Sequence, residues 1–474
     1  MNYELFMAID TDRWMADCAT VNGKLVTVLF RSLLILTCRH ADMLNRSCNT
    51  MLVMILLLGM GSEARAADGD VDASTLTGKV ICGYQGWFNT PGDGAGRGWV
   101  HWGRGGMEPG TAAIDLWPDV GEFDPDERFA TAFRFPDGSA AEVFSSYNSK
   151  TVQRHFRWMR EYGIDGVFIQ RFATGVNDAL FIKHNDRVLA NVFAGARDNG
   201  RVFGMMYDLS GLRDDQVDLV IADWKHLIDD MKLTANPRYI RDGGKPVVAL
   251  WGFGFGDGRD PLLGGGGMRL IQMLRNDPVY GGNCVMLGVP TGWRTLDADA
   301  VNDPALLKVI ESADIVSPWT IGRYATLPQV QEHSANRWAP DLEWCNEHGK
   351  KYMPVVFPGF SWHNLMNGKS PLNMIPRQGG RFLWGQFVAA KQAGATMVYQ
   401  AMFDEVDEST AIFKCTSIVP VAQGGTQFLG YEGLPSDFYL KLVGQGTKLM
   451  RGEIQPADER VIEKQKTGKV DSKN

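Results

Sequence analysis

The sequence predicts an α/β protein, a (β/α)8 TIM barrel with a long glycine-rich loop after its first strand. Three observations predict it. Eight apolar, β-prone runs recur along the chain, each followed by a stretch with apolar residues at helical spacing. The runs are apolar nearly throughout, as parallel strands covered by helices are, rather than alternating as half-exposed strands do. Several runs stop at aromatic, amide or acidic residues, which is how a barrel carries functional groups on its C-terminal face.

Taken in order, Val80–Tyr84 is the first strand and leads into Gln85-Gly-Trp-Phe88. The glycine-rich segment Asn89–Gly110 follows, with irregular sequence to Ser146, a length that points to function or insertion. Lys150–Tyr162 places Val152, Phe156 and Met159 at helical spacing and stops at Gly163. Strand two is Gly166–Gln170, and its helix closes at Asn199-Gly200. Strand three is Val202–Tyr207, with Val217, Val220, Trp224, Leu227 and Met231 on the helix behind it. Strand four is Pro246–Trp251, and strand five is Cys284–Val289 with a helix starting at Asp303-Pro304. Strand six is Asp314–Pro318, and Ala339-Pro340 is expected to start its helix. Strand seven is Tyr352–Phe357, with the helix Arg381–Ala393 behind it. Strand eight, Met397–Phe403, runs into Asp404-Glu-Val-Asp-Glu408, and a last helix is expected from a Ser436 N-cap. No G-x-G-x-x-G follows a strand, which argues against a dinucleotide site.

Residues 43–66 have the layout of a signal peptide: Arg46, the apolar run Met51–Met60, then Ala64-Arg65-Ala66 as a small-x-small cleavage site. The apolar run is too short to span a bilayer as a helix. Cleavage near Ala66 would export the protein to the periplasm or the medium. Residues 1–42 are expected to be a mistaken extension ahead of a true start at Met43. The barrel then occupies 67–450, and 451–474 is a polar tail. Export would permit a disulfide among Cys82, Cys284, Cys345 and Cys415, but no spacing indicates one, and Cys82 and Cys284 are expected to be small buried residues of strands.

Formal net charge is −7 with acids and bases interspersed, so no basic stripe supports nucleic-acid binding. The 14 tryptophans favour a large core or a surface that stacks on flat apolar faces of a ligand. In a barrel the strand ends converge. They would bring together Tyr84, Gln85, Trp87, Gln170, Arg171, Tyr207, Asp208, Trp251, Trp293, Trp319, Tyr324, Trp362 and His363, with Trp99 and His101 from the first loop. Aromatic rings stacking on pyranose faces, with amides and acids for hydroxyls, make a sugar-binding cleft. Glu405 and Glu408, three apart, would share a face on a helical turn and could supply the two carboxyl groups that glycosidic cleavage needs. Crowding of four acids would raise at least one carboxyl pKa. Asp404 and Asp407 are read as structural, His155 as a helix residue outside the chemistry. Two other readings remain: a barrel that binds glycans without cleaving them, and a metal-dependent hydrolase using Asp404–Glu408, although that cluster lacks a D-x-D-x-D-G loop.

Four motifs then carry a resemblance: Gly83-Tyr-Gln-Gly-Trp-Phe88, Arg97-Gly-Trp-Val-His-Trp102, Tyr162-Gly-Ile-Asp-Gly-Val-Phe-Ile-Gln-Arg-Phe172 and Phe403-Asp-Glu-Val-Asp-Glu408. In that order they resemble the glycoside hydrolase family 71/99-like group, over about Val80 to Lys414. The resemblance implies a (β/α)8 barrel related to endo-α-mannosidases, an α-mannoside or α-1,3-glucan as substrate, and no cofactor. It also implies roles. Glu405 would be the base on the substrate 2-hydroxyl, giving a 1,2-anhydro intermediate with retention, and Glu408 the acid and then base at the glycosidic oxygen and incoming water.

Overall fold

The computed structural model describes residues 69–455 and Ile462. The expected extension 1–42, the signal peptide 43–66 and the tail beyond 455, apart from Ile462, lie outside the described residues. Eight parallel strand positions form the barrel: β1 (Val80–Tyr84), β2 (Gly166–Phe172), β3 (Val202–Asp208), β4 (Lys245–Trp251), β5 (Cys284–Val289), β6 (Ile315–Pro318), β7 (Lys351–Tyr352 and Val355–Val356) and β8 (Val398–Gln400). Each strand pairs with the next, and β1 pairs with both β2 and β8. Ring closure falls to β7, where Pro354 cannot donate to the ladder. The first half of β7 pairs with β6 and the second half with β8, so the chain changes partners across Met353-Pro354. The Tyr399 N–H still reaches the Pro354 carbonyl at 3.0 Å. Gly83 shows how tightly the lumen is filled, because a Cβ there would lie 2.2 Å from both Met402 Sδ and Tyr399 Oη.

Helices cover the outside: α1 (Ser149–Tyr162), α2 (Ala179–Asn199), α3 (Val217–Asp229), α4 (Gly266–Asn276), α5 (Ala305–Glu311), α6 (Leu327–His333), α7 (Ala339–Glu347), α8 (Arg381–Gln392) and α9 (Phe438–Arg451). Asn148 caps α1 through Lys150 N, and α1 and α2 stop at Gly163 and Gly200 in the left-handed conformation, as their sequences require.

The helix expected from Ala339-Pro340 is present as α7, with Pro340 in its first turn. A π-helical segment, Ser334–Trp338, joins it to α6, where Thr326 caps Gln329 N and Pro328 stands in the first turn. Two expectations need correction. Ser436 is not the cap of α9, which starts at Phe438 behind Asp437 with no side-chain capping bond. The segment after β1 is less irregular than expected, since Phe129–Arg134 and Ala140–Val143 pair as an antiparallel hairpin. Single bridges, Leu116 to Leu429 and Pro118 to Cys415, tie this segment to the chain that follows β8. Cys82, Cys284, Cys345 and Cys415 are buried free thiols.

Candidate active site

The chain leaves β8 and folds back on itself. Met402 N–H donates to Thr410 O at 3.1 Å and Phe413 N–H to Phe403 O at 3.0 Å, while the N–H groups of Thr410 and Ala411 both reach Glu405 O. The acids therefore sit on a closed turn rather than the helical turn expected for them. This turn presents Glu405, Asp407 and Glu408 to a cavity of about 600 Å3.

Asp404 does not reach the cavity. It is fully buried and accepts the backbone N–H groups of Gln85 and Gly86 at 2.8 and 2.9 Å, clamping the end of β1 to the acidic turn. The clamp places the Gln85 side chain, whose Nε2 donates to Glu405 Oε1 at 2.8 Å; Thr410 Oγ1 donates to Oε2 at 2.6 Å. Glu408 is only partly buried, and none of the described residues hydrogen-bonds its carboxyl group. Asp407 Oδ2 meets His101 Nδ1 at 2.9 Å, and the His101 ring stacks on Trp87 with centroids 3.6 Å apart.

Burial is the main cause of the electrostatics here, ahead of the crowding expected from the sequence. It pushes Asp404 up to about 7 against the two N–H donors. Burial pushes Glu408 up to about 8, with Asp407 and Asp208 adding repulsion. Glu405 is held well above the ordinary carboxyl range by burial and then by Glu408 and Asp407. Below about pH 7 the site therefore holds protons that isolated carboxyl groups would have lost.

The cavity wall also brings together Gln85, Trp87, His101, Gln170, Asp208, Trp251, Trp319 and Trp362 from the expected set. Seven expected residues are elsewhere, and strand geometry accounts for three of them. Side chains alternate along a strand, so a residue next to an inward one points out at the helices. Gln170 faces in, so Arg171 faces out and ion-pairs with Asp223 at 2.6 Å. Asp208 faces in, so Tyr207 faces out and donates to Asp223 at 2.6 Å. Gln85 faces in, and Tyr84 packs outward with its hydroxyl 2.9 Å from His155 Nδ1. Tyr324 is buried and donates to Gln386 Oε1 at 3.0 Å. Trp293 is buried and donates to Asp341 at 3.1 Å. His363 turns its Nδ1 to Ser370 O at 2.7 Å, and Trp99 packs half-buried against the core, neither on the cavity wall.

Several wall residues were not foreseen. Met206 and Phe172 share the inward parity of Asp208 and Gln170, so alternation would have found them. Arg259, Arg323, Phe255, Phe360 and Met374 arrive on loops whose course no local pattern records. Buried polar atoms without a hydrogen-bond partner also belong to wall residues: Gln85 Oε1, Trp87 Nε1, Trp251 Nε1 and Asp407 Oδ1. Among the described residues no group of three or more His, Cys, Asp and Glu is placed to hold a metal ion, and no helix is long and apolar enough to cross a membrane.

No family model matches the sequence, and no curated protein matches it either. Solved structures do match. One is the GH99 endo-α-mannosidase from Bacteroides thetaiotaomicron in complex with bis-tris-propane, with a TM-score of 0.55 at 16% identity over 80% of this chain and 99% of that one. A second structure described as the GH99 endo-α-mannosidase from Bacteroides thetaiotaomicron gives a TM-score of 0.54 at 17% identity, over the same shares. At such identities the likeness is one of fold, and the fold is the (β/α)8 barrel that the strand pattern and the motif resemblance both predict.

Proposed function

We propose that this chain is a glycoside hydrolase that cleaves α-linked glycans, α-mannosides or α-glucans, using Glu405 and Glu408. One observation carries the reading: two carboxyl groups with raised pKa values share a tryptophan-lined cavity at the C-terminal strand ends. The fold shared with family 99 structures agrees with it. Trp87, Trp251, Trp319 and Trp362 offer rings for sugar faces, and Gln85, Gln170, Asp208 and His101 offer partners for hydroxyls.

In this reading the pair holds one proton. Glu405 accepts from Gln85 and Thr410, which favours the charge there, while Glu408 has no donor and keeps the proton. Glu408 gives its proton to the glycosidic oxygen as the bond to C1 breaks, and the leaving sugar departs as an alcohol. Glu405 takes the proton of the 2-hydroxyl, whose oxygen closes on C1 to give a 1,2-anhydro sugar. Water then opens that ring at C1, losing a proton to Glu408 while Glu405 returns its proton to O2, and the configuration is retained. The chain is further proposed to be exported after cleavage near Ala66, which N-terminal sequencing of protein from periplasm and medium would test.

The direct test is hydrolysis of α-mannan, α-1,3-glucan and aryl α-glycosides, with the product anomer followed by NMR. Glu405→Gln and Glu408→Gln should each lower kcat by about 10²–10⁴-fold on natural linkages. Glu408→Gln should lose less on aryl glycosides whose leaving group needs no proton. With Glu408 as acid at about 8, kcat/KM should fall as pH rises past that value. Wild-type protein that binds these glycans and cleaves none would replace the reading with a binding barrel. Activity abolished by EDTA and restored by calcium or magnesium would replace it with metal-dependent hydrolysis.

A further inference from the structure

A separate cavity of about 80 Å3 adjoins the acidic turn. Of its wall residues only Phe360 also borders the main cavity. Ser361 and Arg377 reach it from the loop after β7, Ser409 from the end of the acidic turn, and Glu432 from the chain beyond. The room is several times the ~10–15 Å3 that one water requires.

Arg377 is 5% exposed, and its guanidinium lies 4.9 Å from the Tyr431 ring centroid and 4.5 Å from that of Tyr439. Nη2 is engaged by Ser409 O and Ala411 O, but Nη1 is a buried donor without an acceptor. Among the described residues Arg377 forms no ion pair. A buried cation is ordinarily paired with an acid, because it has given up its hydration. The two aromatic faces offset part of that cost and leave the net charge in place. Ser409 Oγ, on a residue 2% exposed, is a second buried group without a partner on the same wall. Ser361 Oγ is already engaged, donating to Asp115 Oδ2 at 2.6 Å and accepting the Asn373 N–H at 2.8 Å. Glu432 is the one acid among the described wall residues; it is exposed, and its carboxylate accepts the Gly379 N–H. A fixed, unpaired guanidinium beside a free hydroxyl in a small chamber is a receptor for an anion.

We propose that this cavity binds one small monovalent anion, a halide or a one-carbon carboxylate, on Arg377 Nη1 and Ser409 Oγ. The anion supplies the counter-charge of Arg377 and an acceptor for both donors. It also acts on the candidate active site. Arg377 holds the carbonyls of Ser409 and Ala411, and the Ser361 N–H holds Glu408 O at 3.0 Å, so the cavity wall is the frame of the turn that carries Glu405 and Glu408. Anion binding stiffens that frame and raises turnover. The effect on turnover rests on the glycosidase reading; the binding does not.

The experiment titrates the whole protein with sodium chloride or sodium formate at constant ionic strength, balanced with sodium gluconate, an anion too large for the cavity. Chloride NMR line width and Tm are read for wild type, Arg377→Gln and Glu432→Gln. Wild type should broaden the chloride line, formate should reverse the broadening by competition, and Tm should rise and saturate with either ion. Arg377→Gln, neutral but still a donor for the two carbonyls, should lose these responses. Glu432→Gln removes an exposed negative charge from the wall and should tighten chloride binding by roughly threefold or more. A Tm that is the same in chloride and gluconate, or line broadening that persists in Arg377→Gln, overturns the site. Should Arg377→Gln fail to fold, Glu432→Gln decides, and an unchanged chloride midpoint there overturns the site. Turnover of aryl α-glycosides should rise with chloride at the midpoint that Tm gives; a flat kcat beside saturable chloride binding overturns the coupling alone. Wild-type protein that cleaves nothing overturns the glycosidase reading, and the line width and Tm still decide the anion site.

Discussion

Ser409 follows Glu408 directly and holds a left-handed backbone, with φ at 55°. A non-glycine residue in that region costs about 1–2 kcal/mol. Its side chain is buried and its Oγ has no hydrogen-bond partner, which adds to the cost. The Arg377 guanidinium, donating from Nη2 to Ser409 O at 2.8 Å and to Ala411 O at 2.7 Å, holds this end of the turn in place. Ser409→Gly should therefore stabilise the protein by about 1 kcal/mol, because relief of strain and of the orphan hydroxyl exceeds the entropy glycine restores to the unfolded chain. Urea unfolding measures it, and a loss of stability would refute the strain account. At this scale the acids were legible because four carboxylates in five residues at a strand end is a local pattern. Their partners were not, since Gln85 reaches Glu405 and His101 reaches Asp407 across some three hundred residues.

Between elements, the instructive residue is Arg171, which the sequence suggests for the sugar cleft. It leaves β2 outward, donates from Nε and Nη2 to both oxygens of Asp223 on α3 at 2.7 and 2.6 Å, and reaches Asp186 on α2 at 3.0 Å. Tyr207 from β3 joins through Asp223, so two strands meet on one carboxylate of α3 and α2 joins them through Arg171. Removing one partner of a buried pair leaves an uncompensated charge. Asp223→Ala should cost about 3–5 kcal/mol, read by urea unfolding. Arg171→Met, which removes the buried cation and keeps much of the packing, should lower affinity for glycans little, whereas a cleft ligand would lose it outright. Strand and helix existence was legible from apolar periodicity, and the eight strands fall where the runs predict. Which face each strand-end residue takes was not read, although the period of two contains it: one inward residue per strand sets all its neighbours. Helix starts were least legible: Ala339-Pro340 does begin α7, but α6 with its Thr326 cap was not read, and the last helix starts at Phe438 rather than at a Ser436 cap.

The whole molecule couples the site to stability through pH. Asp404 and the Glu405–Glu408 pair hold protons in the fold at pH values where the unfolded chain has lost them. The folded chain then binds more protons than the unfolded one, so stability falls as pH rises. That decline begins near pH 4 and ends only above about 8. For Asp404 alone, raised from 3.8 to about 7, it amounts to about 4 kcal/mol. Three histidines pull the other way: His155 and His184, both buried, are lowered to about 3 and about 4, and the half-buried His333 to about 4, in each case chiefly by burial. They are neutral in the fold and protonated in the unfolded chain below about 6.5, so their contribution is lost as pH falls from 6.5 toward 4. Between pH 4.5 and 6.5 the two slopes oppose each other, and above 6.5 only the carboxyl slope remains. Substrate-free protein should show its highest Tm near pH 5–6 and a steady decline to pH 8.5. Asp404→Asn, which cannot ionise, should make the alkaline decline shallower even though it loses one of the two side-chain oxygens that accept the Gln85 and Gly86 N–H groups and starts from a lower Tm. Calorimetric scans of both proteins at half-unit steps of pH test this. A wild-type Tm that rises from pH 6 to 8.5 would mean that the acidic turn is ionised in the fold, and Glu408 would then have no proton to give at neutral pH.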